Sequence, residues 1–498
     1  MITNRTPHLS VKIVGTMAAL ALGALLAAQA SARELAPTEY VKLLDHIYAG
    51  HTEAASAMLD SLATECRGDP FYLIARSRVL LEAVPEDDLD KARTKALTQP
   101  VLATLQQVID ICDQRLADGG DEKSLRRMRG WAWMLRSQAH AQGRSFYSAG
   151  REAGRGKGDI EFYLASHPDD PVSNGLLGAF LYFSDAVPAI LQFVSKLMFL
   201  PTGDRARGLE MIQLAETGQS PKSEDFRALA MTVNVIFEGR WEEGLPQAIS
   251  LQERHPAYIR LALPLSAMRL LAPGLGSDLE ARIDVTENLA AAAPSATVDS
   301  ASLWMSRTYR AWVNRILLGP AVAEPGFAAI AAAAPSDPDW VAEFAREQLE
   351  ELAADRADDL PDDLARSAWT TPEESLDEVV ARLEGLAGTS LRAAFFAAEG
   401  HLRLGDTAAA ESLYKKVESW GGPEHLEPFR MVAATRVGEI KARAGRYRSA
   451  ARWYDRAFEH HCGVYRVDWM LQGRARRFTE LSEGGGVLSE NQVLFATP

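Results

Sequence analysis

Small and apolar residues recur three and four positions apart along most of the chain, in helix-length runs broken by Gly or Pro. In VAATRVGEIKARAGRYRSAARWYDRAFEH, Gly438 lies in a first run, Gly445 and Tyr447 interrupt it, and Ala450, Tyr454 and Ala457 line a second. Residues at this spacing share one helix face, so the pattern predicts two amphipathic helices joined by a tight turn. The same arrangement precedes it in AAFFAAEGHLRLGDTAAAESLYKKV, with small Ala398, then Gly405 at the break, then Ala410 and Tyr414. It returns in FRALAMTVNVIFEGRWEEGLPQAISLQERHP, with Gly239, Trp241, Gly244, Ala248 and the closing Pro256, and in YVKLLDHIYAGHTEAASAMLDSL, with Gly50, Ala55 and Leu59. A small residue suits a close helix crossing, an aromatic fills the gap to the next pair, and Gly relaxes the turn.

These four hairpins resemble the tetratricopeptide repeat. Gly405 and Gly445 stand 40 positions apart, against a family period of about 34, because the loop WGGPEHLEP lengthens the link. The repeats are degenerate: Lys441 occupies a position where the family usually has Tyr, and Gly244 stands where Ala is usual. The resemblance implies an all-α fold, a right-handed superhelical solenoid of antiparallel helix hairpins in two repeat blocks. The predicted organisation is an N-terminal block over 33–273, an Ala/Pro-rich helical middle over 274–390, a C-terminal pair of repeats over 391–481 and a flexible tail over 482–498. The competing architecture is an irregular helical bundle. Within the middle, Asp355, Asp358, Asp359, Asp362 and Asp363 gather around Pro361 and read as a solvated loop.

Composition agrees with helices separated by short loops: Ala, Leu, Glu and Arg dominate, and 47% of the 498 residues are hydrophobic, enough for a sizeable core. The net charge of −14 speaks against the broad electrostatic capture of nucleic acid. Residues 1–32 have the form of a signal peptide. Arg5 and Lys12 precede an apolar stretch from Ile13 to Ala28, and Ala30-Ser31-Ala32 offers a cleavage site after Ala32. The expected location is therefore periplasmic or secreted. Of the three cysteines, Cys66 and Cys112 could pair or stay as buried thiols, and Cys462 stands apart.

Two segments stand out as candidate surfaces. Gly175 to Pro201 forms the longest apolar run, interrupted by Asp185 and Pro188. It reads as two short helices packed on the next hairpin, or as a patch through Phe193, Met198, Phe199 and Leu200 for a partner or for peripheral membrane contact. The following Gly203-Asp204-Arg205 and Gly208-Leu209 are similar to an element in bacterial exported repeat proteins of unassigned role. Physically, Gly203 is expected in a left-handed turn, Asp204 as a helix cap, and Arg205 or Arg207 in ion pairs. The second segment is basic and aromatic: Arg126, Arg129, Trp131, Trp133, Arg136, Phe146, Tyr147 and Arg151 are the expected partner-binding strip, because Trp, Tyr and Arg are enriched at interface hot spots.

Catalytic signatures are missing from the sequence. It has no phosphate-binding Gly-rich loop ending in Lys-Ser or Lys-Thr, no GxSxG, no HExxH and no CxxC. His460, His461 and Cys462 are compact, but neighbouring helical residues point in different directions, so no metal or other cofactor is expected. The reading is a non-catalytic scaffold in the cell envelope that binds protein partners. The alternative is an envelope enzyme or glycan-binding protein on the same frame, which would need a buried carboxylic acid with a raised pKa.

Overall fold

The computed structural model describes residues 33–82, 84, 91–143, 145–186, 203–218, 220, 223–271, 276–292, 299–333, 339–356, 360–422, 424–460, 467–484 and 488. The expected signal peptide and residues 187–201 of the apolar run lie outside them. Among the described residues there is no strand, and 22 α-helices follow one another. The first ten are α1 (Pro37–Tyr48), α2 (Thr52–Leu62), α3 (Pro70–Glu82), α4 (Lys91–Ala117), α5 (Glu122–Gln142), α6 (Phe146–Leu164), α7 (Pro171–Ala186), α8 (Arg205–Glu216), α9 (Ser223–Thr232) and α10 (Trp241–Arg254). There follow α11 (Ala262–Leu271), α12 (Gly276–Ala292), α13 (Asp299–Leu318), α14 (Pro320–Ala333), α15 (Asp339–Arg356) and α16 (Asp362–Thr370). The last six are α17 (Glu373–Leu386), α18 (Leu391–Arg403), α19 (Thr407–Glu418), α20 (Glu427–Arg443), α21 (Tyr447–Glu459) and α22 (Val467–Gly484). Packing runs mainly between helices adjacent in the chain. No described helix is long and apolar enough to cross a membrane.

The hairpins predicted from the sequence form at the predicted places. Gly50, Gly239, Gly405 and Gly445 all have positive φ, the conformation that only glycine adopts without strain. Ser390 and Asp406 cap α18 and α19 by accepting from the backbone N–H of Ala393 and Ala409. In the second helices, Ala55, Ala410, Tyr414, Ala450, Tyr454 and Ala457 are fully buried, and a Cβ on Gly438 would stand 2.8 Å from the Tyr454 ring. Gly244 earns its place likewise, since a Cβ there would meet the Val235 side chain at 2.5 Å. Pro256 lies exposed in the turn after α10. The first helix of each C-terminal hairpin is an interior helix: α20 buries every residue from Pro428 to Ala442.

Interior helices that carry charges must pair them, and they do so from one hairpin to the next. Arg436 donates through Nε to Glu399 Oε1 at 3.0 Å, and Arg474 donates through Nε to Glu439 Oε1 at 2.9 Å. Lys441, the departure from the repeat pattern, reaches Glu411 on α19 at 2.5 Å. Asp355, expected in a solvated loop, is a correction of the same kind: it is fully buried in α15 and accepts from Arg315 Nε at 2.7 Å. Asp358 and Asp359 lie outside the described residues. The tail is also tied down at one point, where buried Leu488 donates its backbone N–H to the Tyr447 hydroxyl at 2.9 Å.

Both ends of the chain return to the segment over 223–271. From the N-terminal side, Tyr48 donates to Asp225 at 2.6 Å and stacks on His255 with ring centroids 4.4 Å apart. From the C-terminal side, Arg474 donates to the Gly239 carbonyl at 2.6 Å and to Glu242 at 2.7 Å, and Arg436 donates to the carbonyls of Leu270 and Leu271. A π-helical turn, Val233–Phe237, presents this segment to α22. A Cβ on Gly239 would sit 2.4 Å from Arg474 Cα, so the backbones meet directly. Among the described residues the apolar core forms one cluster from Leu35 to Phe226, another from Met231 to Leu488, and a small third of Tyr182, Ile212, Ala230 and Val233 beside the junction.

Arg474→Ala leaves Glu439 and Glu242 buried without their cation and is expected to cost about 3–5 kcal/mol. Chemical denaturation of this variant and of Arg474→Met with Glu439→Gln separates charge from shape. The double variant should recover part of the loss, and equal losses would show that the charge pair is not what matters.

Candidate functional site

Close packing of α8 on α7 builds a polar cleft of about 680 Å³ at the junction with α22. Gly208 makes the crossing possible, because a Cβ there would lie 2.6 Å from the Tyr182 backbone N. Gly203 works the same way, which corrects the expected left-handed turn: its φ is not positive, and a Cβ would collide with the Asp185 backbone N at 2.2 Å. Asp204 caps α8 as expected, accepting from Arg207 N at 3.0 Å. Arg205 then points into the cleft and bridges the end of the π-helical turn to α22, donating through Nε to Glu238 Oε1 at 2.8 Å and through Nη1 to Glu480 at 2.7 Å. Tyr182 also donates to Glu238, at 2.5 Å. Beside the cleft, Phe237 and Trp469 approach with ring centroids 5.4 Å apart, and Trp469 is half exposed.

The chemistry of the cleft follows from Glu238. Burial opposes its charge, but Arg205 and Tyr182, both donating to it, hold the Glu238 carboxyl below the usual carboxylate range. It therefore has no proton to give at neutral pH. Burial pushes the Tyr182 hydroxyl up, with the Glu238 charge adding to the effect. Burial pushes the carboxyls of Glu216, Glu399 and Asp455 up, but none of them lines the cleft, and the Glu399 carboxylate faces the Arg436 guanidinium inside the core.

The basic and aromatic strip is divided by the fold. Trp131 is 2% exposed, and its Nε1 donates to Ser173 Oγ at 3.0 Å. Arg129 is clamped by Asp159 at 2.7 Å, and Arg136 by Glu152 at 2.8 Å. Trp131 is therefore internal, while Arg129 and Arg136 are half-buried and held by carboxylates on α6. Arg126 is half-buried and pairs with Glu122 at 2.8 Å, and Trp133 is half-buried beneath Arg155. Phe146, Tyr147 and Arg151 are exposed, Phe146 at 66% and Tyr147 at 52%. The fully exposed part of the strip is therefore the outer side of α6.

Cys66 and Cys112 are both buried free thiols, and burial pushes the Cys112 thiol up to about 12, which removes its nucleophilic form at neutral pH. His460 engages Glu427 at 2.6 Å, while His461 and Cys462 lie outside the described residues. Among the described residues, no three His, Cys, Asp or Glu side chains are grouped to hold a metal ion. No protein-family model matches the chain, and no curated protein is similar to it.

Glu238 stabilises the fold above the ordinary carboxylate pKa of about 4, and that contribution is lost as the pH falls through its lower folded value. Arg205→Met leaves burial to act against the charge. Urea denaturation across a pH series should give a stability gap from wild type that is widest near neutral pH and narrows below about pH 4. A gap independent of pH would mean that Arg205 is not what keeps Glu238 ionised.

Proposed function

We propose that the chain is an exported tetratricopeptide-like scaffold, a right-handed superhelical solenoid that works in the cell envelope by binding a protein partner. The observation that carries this reading is the spacing of the internal ion pairs. Arg436 and Glu399 are 37 residues apart, and Arg474 and Glu439 35. Such separations join a helix to its counterpart one hairpin further along, as stacked repeats require. The chemistry gives glycan cleavage little support: Glu238 in the cleft is held ionised, and the carboxyls that burial pushes up, Glu216, Glu399 and Asp455, do not line it.

Two measurements test the proposal. Residues 1–60 fused to a reporter that is active only after export should give active reporter, and N-terminal sequencing of the exported full-length protein should begin at Arg33. Crosslinking the tagged full-length protein in its native envelope should then capture a defined protein partner. Retention of the reporter inside the cell would overturn the location. Cleavage of purified cell-wall glycan, with only background capture, would overturn the scaffold.

A further inference from the structure

We infer that the outward face of α6 is a docking surface for an acidic amphipathic helix of the partner protein. The inference rests on the scaffold reading and adds to it the partner's chemistry and the place where it sits. Tyr147, Arg151, Arg155, Gly158 and Phe162 are all exposed and follow one another at steps of three and four, so they form one stripe, with Phe146 at its head. At the far end Arg126 lies over the Phe162 ring at 4.2 Å, and along the way Arg155 lies over Trp133 at 4.8 Å. The stripe thus offers aromatic surface and guanidinium groups together.

Charge selects the occupant. Five other cations of α5 and α6 have carboxylates: Arg126 has Glu122, Arg127 has Asp170, Arg129 has Asp159, Arg136 has Glu152, and Lys157 has Glu161. Among the described residues no carboxylate pairs with Arg151 or Arg155, so this face carries uncompensated positive charge on a chain whose net charge is −14. A partner with acidic residues one helical turn apart would match the two. A second copy of the chain fits poorly, because a twofold pairing of these faces brings like charges together. An anionic membrane normally needs a cluster of about 4–8 cations, and nucleic acid binding draws on several more phosphate contacts than two arginines provide.

Shape favours a helix. Gly156 is explained by the fold, since a Cβ there would come within 3.0 Å of the Gly130 carbonyl and Trp133 Cβ. Gly158 is not: a Cβ there would meet nothing within 4 Å, yet glycine inside a helix costs about 1 kcal/mol relative to alanine. A bare position beside two arginines that no carboxylate pairs lets an incoming backbone approach closely, as small residues do at tight helix crossings.

The test uses the full-length mature protein against a yeast-displayed library of amphipathic helical peptides, with phosphatidylglycerol and phosphatidylethanolamine vesicles as a second probe. Enriched peptides should be acidic, with small or apolar residues at helical spacing. Their affinity should fall about tenfold or more in Arg151→Glu with Arg155→Glu, and again in Gly158→Leu. Gly158→Leu should keep or raise the thermal midpoint, which separates lost docking from lost folding. Peptides that bind both variants as well as wild type would overturn the inference while leaving a scaffold with another surface. An absence of enriched peptides would overturn it too, as would vesicle binding that these substitutions abolish.

Discussion

A guanidinium taken out of water costs several kcal/mol unless acceptors replace the lost water, and Arg474 gains its four hydrogen bonds only when three parts of the chain come together. Its Nε and Nη2 donate to Glu439 on α20, while Nη1 donates to the Gly239 carbonyl and to Glu242 at the start of α10. The Trp241 and Phe478 rings cover its faces at 4.9 and 4.6 Å. Glu439 depends on the arrangement in turn, since it also accepts from the buried Tyr454 hydroxyl. The close backbone approach at Gly239 and Gly473 is the steric condition for this contact.

The pairs Arg436 with Glu399 and Arg474 with Glu439 are successive versions of one device. Apolar residues of the same shape could be as stable or more so, so stability alone does not account for buried ions. What they add is register. If one hairpin slides against the next by a residue, an arginine and a glutamate are both left in the core without partners, whereas an apolar seam would tolerate the slip. The additional bonds from Arg436 to the carbonyls of Leu270 and Leu271 extend the same control to a helix far away in the chain.

Legibility from the sequence followed the kind of residue. Gly50, Gly239, Gly405 and Gly445 were readable because a tight reversal leaves few alternatives, and Ala410, Tyr414, Ala450 and Tyr454 because helical spacing marks the buried side. The ions were not. Glu399 and Glu439 look like surface charge, and only their equal offset to Tyr414 and Tyr454 hinted that they repeat. Trp131, Arg129 and Arg136 look outward in the sequence because the groups that engage them, Ser173, Asp159 and Glu152, sit on later helices. Gly203 was read as a turn, although the reason for it is a neighbouring backbone that no local pattern reveals. The bare Gly158 on α6 was overlooked for the opposite reason, since helical glycine is conspicuous only once its surroundings are seen to be empty.

The return of α22 to the central segment also sets an order in time. Synthesis from the N-terminus delivers Glu242 first, Glu439 later and Arg474 last. Until that final helix arrives, two carboxylates destined for the interior lack their counter-charge, and the hairpins around them stay hydrated and loosely joined. An open array of repeats can settle unit by unit as it emerges. Here the seam between α20 and α10 lacks its cation until the arginine on α22 joins it.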